Sequence, residues 1–253
     1  MIDYLRRLFG TAIGFTVFGI GGLLQTIVLF PLIALFSRDE ETRTRRVRAL
    51  ISRSFRAFVW LIETLGVMEL EMDPQARQKL SGGGTVVVAN HPTLIDVVVL
   101  LAQIEHGNCI VKRAAWNNLF LAGVVRAANY ISNDDAEELL ASCTQALDRG
   151  ETLVIFPEAT RTVPGQTMKV YRGAARIALA ARAPVQFVHL DCTPPTLSKS
   201  EHWYEIPSRR FCFRLAVGDT LDATEFLLAG EHQSLAARRL TQVMRRTLMN
   251  AES

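Results

Sequence analysis

The chain has 253 residues, 49% of them hydrophobic and 21% charged, with 16 glycines and 9 prolines. This excludes a disordered, collagen-like or repetitive polymer and allows one sizeable core. A net charge of +3 is too small for a chain that neutralises many nucleic-acid phosphates along one face.

Four cysteines (Cys109, Cys143, Cys192, Cys212) include no Cys-x-x-Cys pair and form no disulfide framework, which suits a reducing compartment. The mean hydropathy of +0.17 is high for a soluble protein and directs attention to a membrane segment. No charge occurs from Leu8 to Phe36. As a helix this run of about 29 residues measures about 43 Å, more than the ~30 Å hydrocarbon core requires. No small-x-small cleavage site precedes Arg38, which sets a signal peptide aside. A single crossing and a helix pair held in one leaflet both stay open. Arg6 and Arg7 precede the run, whereas Arg38, Arg43, Arg45, Arg46 and Arg48 follow it, and the larger cluster places the remainder on the cytoplasmic face. From Arg43 to Val67, apolar residues such as Leu50, Phe58, Val59 and Ile62 recur near helical spacing among Arg46, Arg48, Arg53 and Arg56. This reads as an interfacial amphipathic helix whose arginines meet anionic headgroups; the other reading is a core helix with a solvated basic face. Residues 1–67 are thus expected to be membrane-associated helices, and 68–253 an α/β domain.

Beyond Asp73-Pro74 and the turn Ser81-Gly82-Gly83-Gly84, strands are predicted at Thr85–Ala89, Cys109–Val111, Thr152–Phe156, Pro184–Leu190 and Arg210–Val217. Helices are predicted behind an N-cap at Thr93, over Asp134–Arg149, Tyr171–Arg182 and Ser234–Asn250. The alternation predicts a mixed β-sheet flanked by helices, with an N-terminal membrane-associated helical pair.

There is no nucleophile elbow, phosphate-binding P-loop or dinucleotide fingerprint. Instead, Asn90-His91-Pro92-Thr93-Leu94-Ile95-Asp96 leaves the first predicted strand. A histidine there sits where open α/β sheets bind ligands, and Asp96 falls in the first helical turn, where the dipole favours its anion. A carboxylate that accepts one imidazole N–H leaves the other nitrogen as a proton acceptor, the base half of a triad without Ser or Cys. A structural His–Asp pair around a helix cap fits the same residues. Phe156-Pro157-Glu158-Ala159-Thr160-Arg161-Thr162 leaves another apolar strand and offers a carboxylate, a hydroxyl and a guanidinium fork suited to phosphate or carboxylate, or else a solvated turn.

Taken together, these blocks resemble the glycerolipid and lysophospholipid acyltransferases, a family similar to 1-acylglycerol-3-phosphate acyltransferase. His91 to Asp96 matches the N-H-x-x-x-x-D motif, and Phe156 to Arg161 matches F-P-E-G-T-R, with Ala159 in place of glycine. Lys112 and Phe120 to Gly123 look like the second block, and Ala183-Pro184-Val185 like the fourth. The resemblance implies that His91 is the general base that deprotonates an acceptor hydroxyl and that Asp96 orients it. Substrate-binding roles are implied for Glu158, Thr160, Arg161 and Lys112. It further implies an acyl thioester of coenzyme A or acyl carrier protein as co-substrate, a lysolipid acceptor in contact with membrane lipids, and neither metal nor covalent acyl-enzyme.

One position departs from the pattern: Asn133 stands where the family's second block ends in an arginine that helps bind the acceptor's phosphate. Lys112, Arg126, Lys169 and Arg172 are candidates to compensate, and a specialised non-phosphatidate acceptor is the other consequence. Three readings compete. A metal hydrolase built on His91, Asp96 and Glu158 lacks a His-x-x-x-His helix. A non-catalytic membrane scaffold would carry broken motifs. Nucleic-acid binding lacks interleaved aromatics.

Overall fold

The computed structural model describes residues 2–162, 168–199 and 201–250. Ile2–Leu24 (α1), a π-helical turn at Gln25–Leu29 and Phe30–Leu35 (α2) form one apolar rod of 34 residues, long and apolar enough to cross a membrane. One side of this rod lies against Glu40–Thr64 (α3), and glycines make the approach close. A Cβ on Gly10 would stand 2.7 Å from Val67 Cγ2, and one on Gly14 would stand 3.2 Å from Ile62 Cγ2. Phe18 packs beside Phe55 and Phe58 with ring centroids 6.0 and 5.3 Å away. The opposite side, with Phe9, Ile13, Val17, Ile20 and Leu24, is exposed.

Asp39 caps α3 by accepting the Thr42 N–H, and Glu40 and Glu41 complement the dipole in the first turn. Helical period then turns Val47, Ile51, Val59 and Ile62 into the core. The expected headgroup-facing arginine stripe fails at Arg48. Arg48 is 4% exposed and donates to Ala128 O (2.8 Å), Asn129 O (3.2 Å) and Glu151 Oε2 (2.7 Å). Arg53 pairs with Glu105 at 3.2 Å. The reason is packing: α3 shares one apolar core with the sheet and its helices, so Arg48 faces protein, whereas Arg53 stays exposed.

The rest of the chain alternates strands and helices: Met68–Met72 (β1), Ala76–Leu80 (α4), Val86–Ala89 (β2), Asp96–Gln103 (α5), Asn108–Val111 (β3), Arg113–Trp116 (α6), Ala122–Ala127 (α7) and Ile131–Ser132 (β4). Then come Ala136–Asp148 (α8), Leu153–Ile155 (β5), Gly173–Ala180 (α9), Val185–Thr193 (β6), Phe211–Leu221 (β7) and Gln233–Asn250 (α10). The strands form one sheet in the order β1-β7-β6-β2-β5-β3-β4. Among the described residues, only the β6–β7 pair is antiparallel. Successive side chains of a strand point to opposite faces. Val87 and Ala89 therefore join the core that holds α3 and α5, while Val86 and Val88 join the core under α9 and α10. With both faces covered, β2 has no polar residue to show: it reads Val-Val-Val-Ala and is fully buried. All five predicted strands are present; β1 and β4, at opposite edges of the sheet, are additional.

Candidate active site

β2 pairs in parallel with β5, and β5 with β3, so the residues that follow these strands emerge on one edge of the sheet. His91 follows β2, Phe156 to Arg161 follow β5, and Lys112 follows β3. Asn90 fixes the exit from β2. Its side-chain amide donates to Leu190 O and accepts the Leu190 N–H, both at 2.8 Å, and so continues the sheet ladder where the backbone turns away.

His91 Nδ1 stands 2.7 Å from Asp96 Oδ2. With Nδ1–H donating to the carboxylate, Nε2 keeps its lone pair and is the nitrogen left for a substrate. Asp96 is fully buried and also accepts the Thr93 N–H (2.8 Å) and the Thr93 hydroxyl (2.5 Å). Burial pushes the Asp96 carboxyl above its ordinary range, while the His91 and Thr93 donors pull the other way. The expected N-cap at Thr93 is corrected here: α5 begins at Asp96, and Thr93 serves as a donor to that carboxylate. The Phe156 ring lies over the imidazole, with centroids 4.4 Å apart and planes tilted by 30°.

The second block docks directly on the first. The buried Glu158 accepts the His91 backbone N–H (3.0 Å) and the Thr162 hydroxyl (2.8 Å) through Oε1. The Thr162 N–H donates to His91 O at 2.7 Å. Arg161 Nη1 donates to Leu197 O (2.9 Å) and Ser198 O (2.7 Å), and Leu94 N–H shares Leu197 O. Glu158 and Arg161 thus hold the histidine loop between two neighbouring segments, a role with no signal in the sequence. Thr160 is half-buried in the same loop; Lys112 is exposed at the end of β3. Among the described residues, no three His, Cys, Asp or Glu side chains converge as metal ligands.

Asn133 is exposed, and its N–H donates to Val111 O. Its neighbour Asp134 accepts the Ser132 hydroxyl at 2.9 Å and lies 3.6 Å from Arg113. Arg126 bonds Trp116 O at 3.2 Å. Lys169 and Arg172 are exposed on the segment that leads into α9.

The acyltransferase family model matches residues 67–190, from the entrance of β1 through most of β6. Over those residues, just under half of its length, the chain carries an acyltransferase domain. Among curated relatives, it is 30% identical over 101 residues to a 1-acyl-sn-glycerol-3-phosphate acyltransferase of Helicobacter pylori, an alignment covering 38% of this chain and 43% of that one. It is 25% identical to the enzyme of the same description from Cocos nucifera, over 42% of this chain and 37% of that one. These alignments span less than half the length of the relatives. In fold, the acyltransferase is similar to the 1-acyl-sn-glycerophosphate (LPA) acyltransferase PlsC of Thermotoga maritima. The TM-score is 0.68 at 17% identity, covering 99% of this chain and 98% of that one.

Ala159, at the glycine position of the second block, has φ +55°. A side chain in this left-handed region costs about 1–2 kcal/mol, and glycine's extra freedom when unfolded returns ~0.4–1 kcal/mol of that. Ala159→Gly is therefore expected to stabilise the acyltransferase by about 0.5–1 kcal/mol, read as a higher denaturant midpoint with unchanged slope.

Proposed function

We propose that this acyltransferase moves an acyl chain from an acyl-coenzyme A or acyl carrier protein thioester to a hydroxyl of a lysophospholipid-type acceptor. The observation that carries this reading is the 2.7 Å His91 Nδ1–Asp96 contact, which leaves Nε2 free of the carboxylate. As the acceptor oxygen bonds to the thioester carbonyl carbon, Nε2 takes the hydroxyl proton. The tetrahedral intermediate then expels the thiolate, which takes that proton back from the imidazolium, giving an ester and a free thiol. Asp96 stabilises the transient cation and fixes the tautomer. Glu158 and Arg161 set the position of the histidine loop, and Thr160, Arg161 and Lys112 face the acceptor's polar head. The 34-residue apolar rod attaches the enzyme to a membrane, with the catalytic domain on the cytoplasmic face. Membrane lipids are then its immediate neighbours.

Acceptor-dependent thiol release from both donors, measured with detergent-solubilised protein and a panel of lysolipids, tests the reading. No acceptor-dependent release from either donor would overturn it. Asp96→Asn is expected to lower kcat about 10²-fold with little change in KM, because a neutral amide neither fixes the Nδ1–H tautomer nor stabilises the imidazolium.

Exposed Asn133 beside the Arg113-paired Asp134 favours a second reading of the acceptor, a hydroxyl lipid without a terminal phosphate. In the panel, this reading expects neutral or zwitterionic lysolipids to be used at least as well as lysophosphatidic acid. A clear preference for lysophosphatidic acid would overturn it.

A further inference from the structure

The His91–Asp96 contact serves a base only while Asp96 is an anion, and its surroundings oppose that charge. The residue is fully buried, and the loss of water pushes its carboxyl above the ordinary range. The imidazole satisfies Oδ2 alone and leaves Oδ1 in need of a donor. That donor is Thr93, itself 1% exposed, whose hydroxyl stands 2.5 Å from Oδ1 while its N–H stands 2.8 Å from Oδ2. Among the described residues, no other hydrogen bond reaches Oδ1.

A neighbouring bond fixes where the hydroxyl proton points. The Ile95 N–H, which can only donate, lies 3.3 Å from Thr93 Oγ1. The hydroxyl oxygen is the acceptor there, so its proton is left for Asp96. Three donors thus surround one carboxylate: the Thr93 hydroxyl, the Thr93 N–H and the imidazole N–H. Of these, the hydroxyl alone can be removed without touching the backbone or the base. Resting on the acyl-transfer reading for the reaction itself, we infer that Thr93 is a positioning residue: its hydroxyl keeps Asp96 ionised and turned toward His91, so that the imidazole holds its proton on Nδ1 and offers Nε2 to the acceptor. A hydroxyl that merely closed the turn before α5 would affect stability and leave the state of the imidazole alone.

The test compares Thr93→Val, which keeps the volume and the backbone donor, with Thr93→Ser, which restores the hydroxyl. In acceptor-dependent thiol release by the full-length, detergent-solubilised protein, Thr93→Val is expected to lower kcat about tenfold, with KM for donor and acceptor within about twofold. Thr93→Ser should stay within about threefold of wild type. Because Thr93 acts through the carboxylate, the losses must not multiply: in an Asp96→Asn background, Thr93→Val should lower kcat by less than about twofold more. Should Thr93→Val fail to fold, Thr93→Cys, of similar volume and with only a weak S–H donor, must show the loss instead. Nitrogen-15 NMR of histidine-labelled protein reads the same effect without turnover, His91 being assigned by its absence in His91→Ala. Wild type and Thr93→Ser should carry the proton on Nδ1, and Thr93→Val should show a mixture of both tautomers. Wild-type kcat in Thr93→Val, an equal loss in Thr93→Ser, losses that multiply with Asp96→Asn, or an unchanged tautomer would each overturn the inference. No acceptor-dependent release from the wild type would defeat the reaction instead, and the tautomer comparison would still decide whether Thr93 governs His91.

Discussion

His91→Ala is expected to lower acceptor-dependent thiol release by about 10³-fold, with the fold intact and the acceptor KM nearly unchanged. The magnitude is that of a positioned general base. Among the described residues, no neighbouring group can replace it: Asp96 is buried and already accepts two donors from Thr93, and Glu158 Oε1 is engaged by the His91 N–H and the Thr162 hydroxyl. The His91 N–H donor belongs to the backbone and survives the substitution, so the loop should keep its place. Steady-state kinetics on matched preparations checks this. Retention of more than about a tenth of wild-type kcat would remove His91 from the chemistry.

Arg48→Met is expected to cost about 3–5 kcal/mol of stability, the effect of removing one partner from a buried ion pair. The methionine fills similar volume, but it leaves Ala128 O, Asn129 O and one side of Glu151 without their donor. Asn108 and Arg149 still reach Glu151, which places the loss toward the lower end of that range. Urea unfolding of solubilised protein measures it. The pair also contributes to the acid limb of stability. Burial alone would raise the Glu151 carboxyl, but the Arg48 charge and the hydrogen bonds from Arg48, Asn108 and Arg149 outweigh it and hold the carboxyl below its ordinary value. A carboxyl held low contributes stability that is complete above its unfolded value of about 4.3 and is lost as pH falls through the lower folded value. In Arg48→Met the folded value rises toward the unfolded one, so this acid-dependent contribution shrinks.

What the sequence disclosed follows from how locally each feature is encoded. β2 and β5 are apolar runs that end in proline-containing polar loops, and that contrast is local. The His91–Asp96 pair lies within one loop and one helical turn, so its contact follows from spacing. β1 alternates Met68, Leu70 and Met72 with Glu69 and Glu71, an edge-strand pattern masked by its closeness to α3. β4 has two residues, too few for any period to register. For α3, the same spacing serves a membrane interface and a core contact, and only the facing elements decide where Arg48 points. The bond between Glu158 and the His91 N–H joins residues 67 apart in sequence, with no local trace of the partner.

The strand order has a consequence for synthesis. β1 is made early, yet its only neighbour in the sheet is β7, whose Phe211 pairs with Met68. While the ribosome builds the intervening residues, β1 has no strand to pair with, although β2, β5 and β3 can already zip together. Nascent chains arrested before Phe211 should therefore display two strand edges that the finished sheet pairs, one on β1 and one on β6, and bind holdase chaperones until the last strand emerges and closes the gap between them.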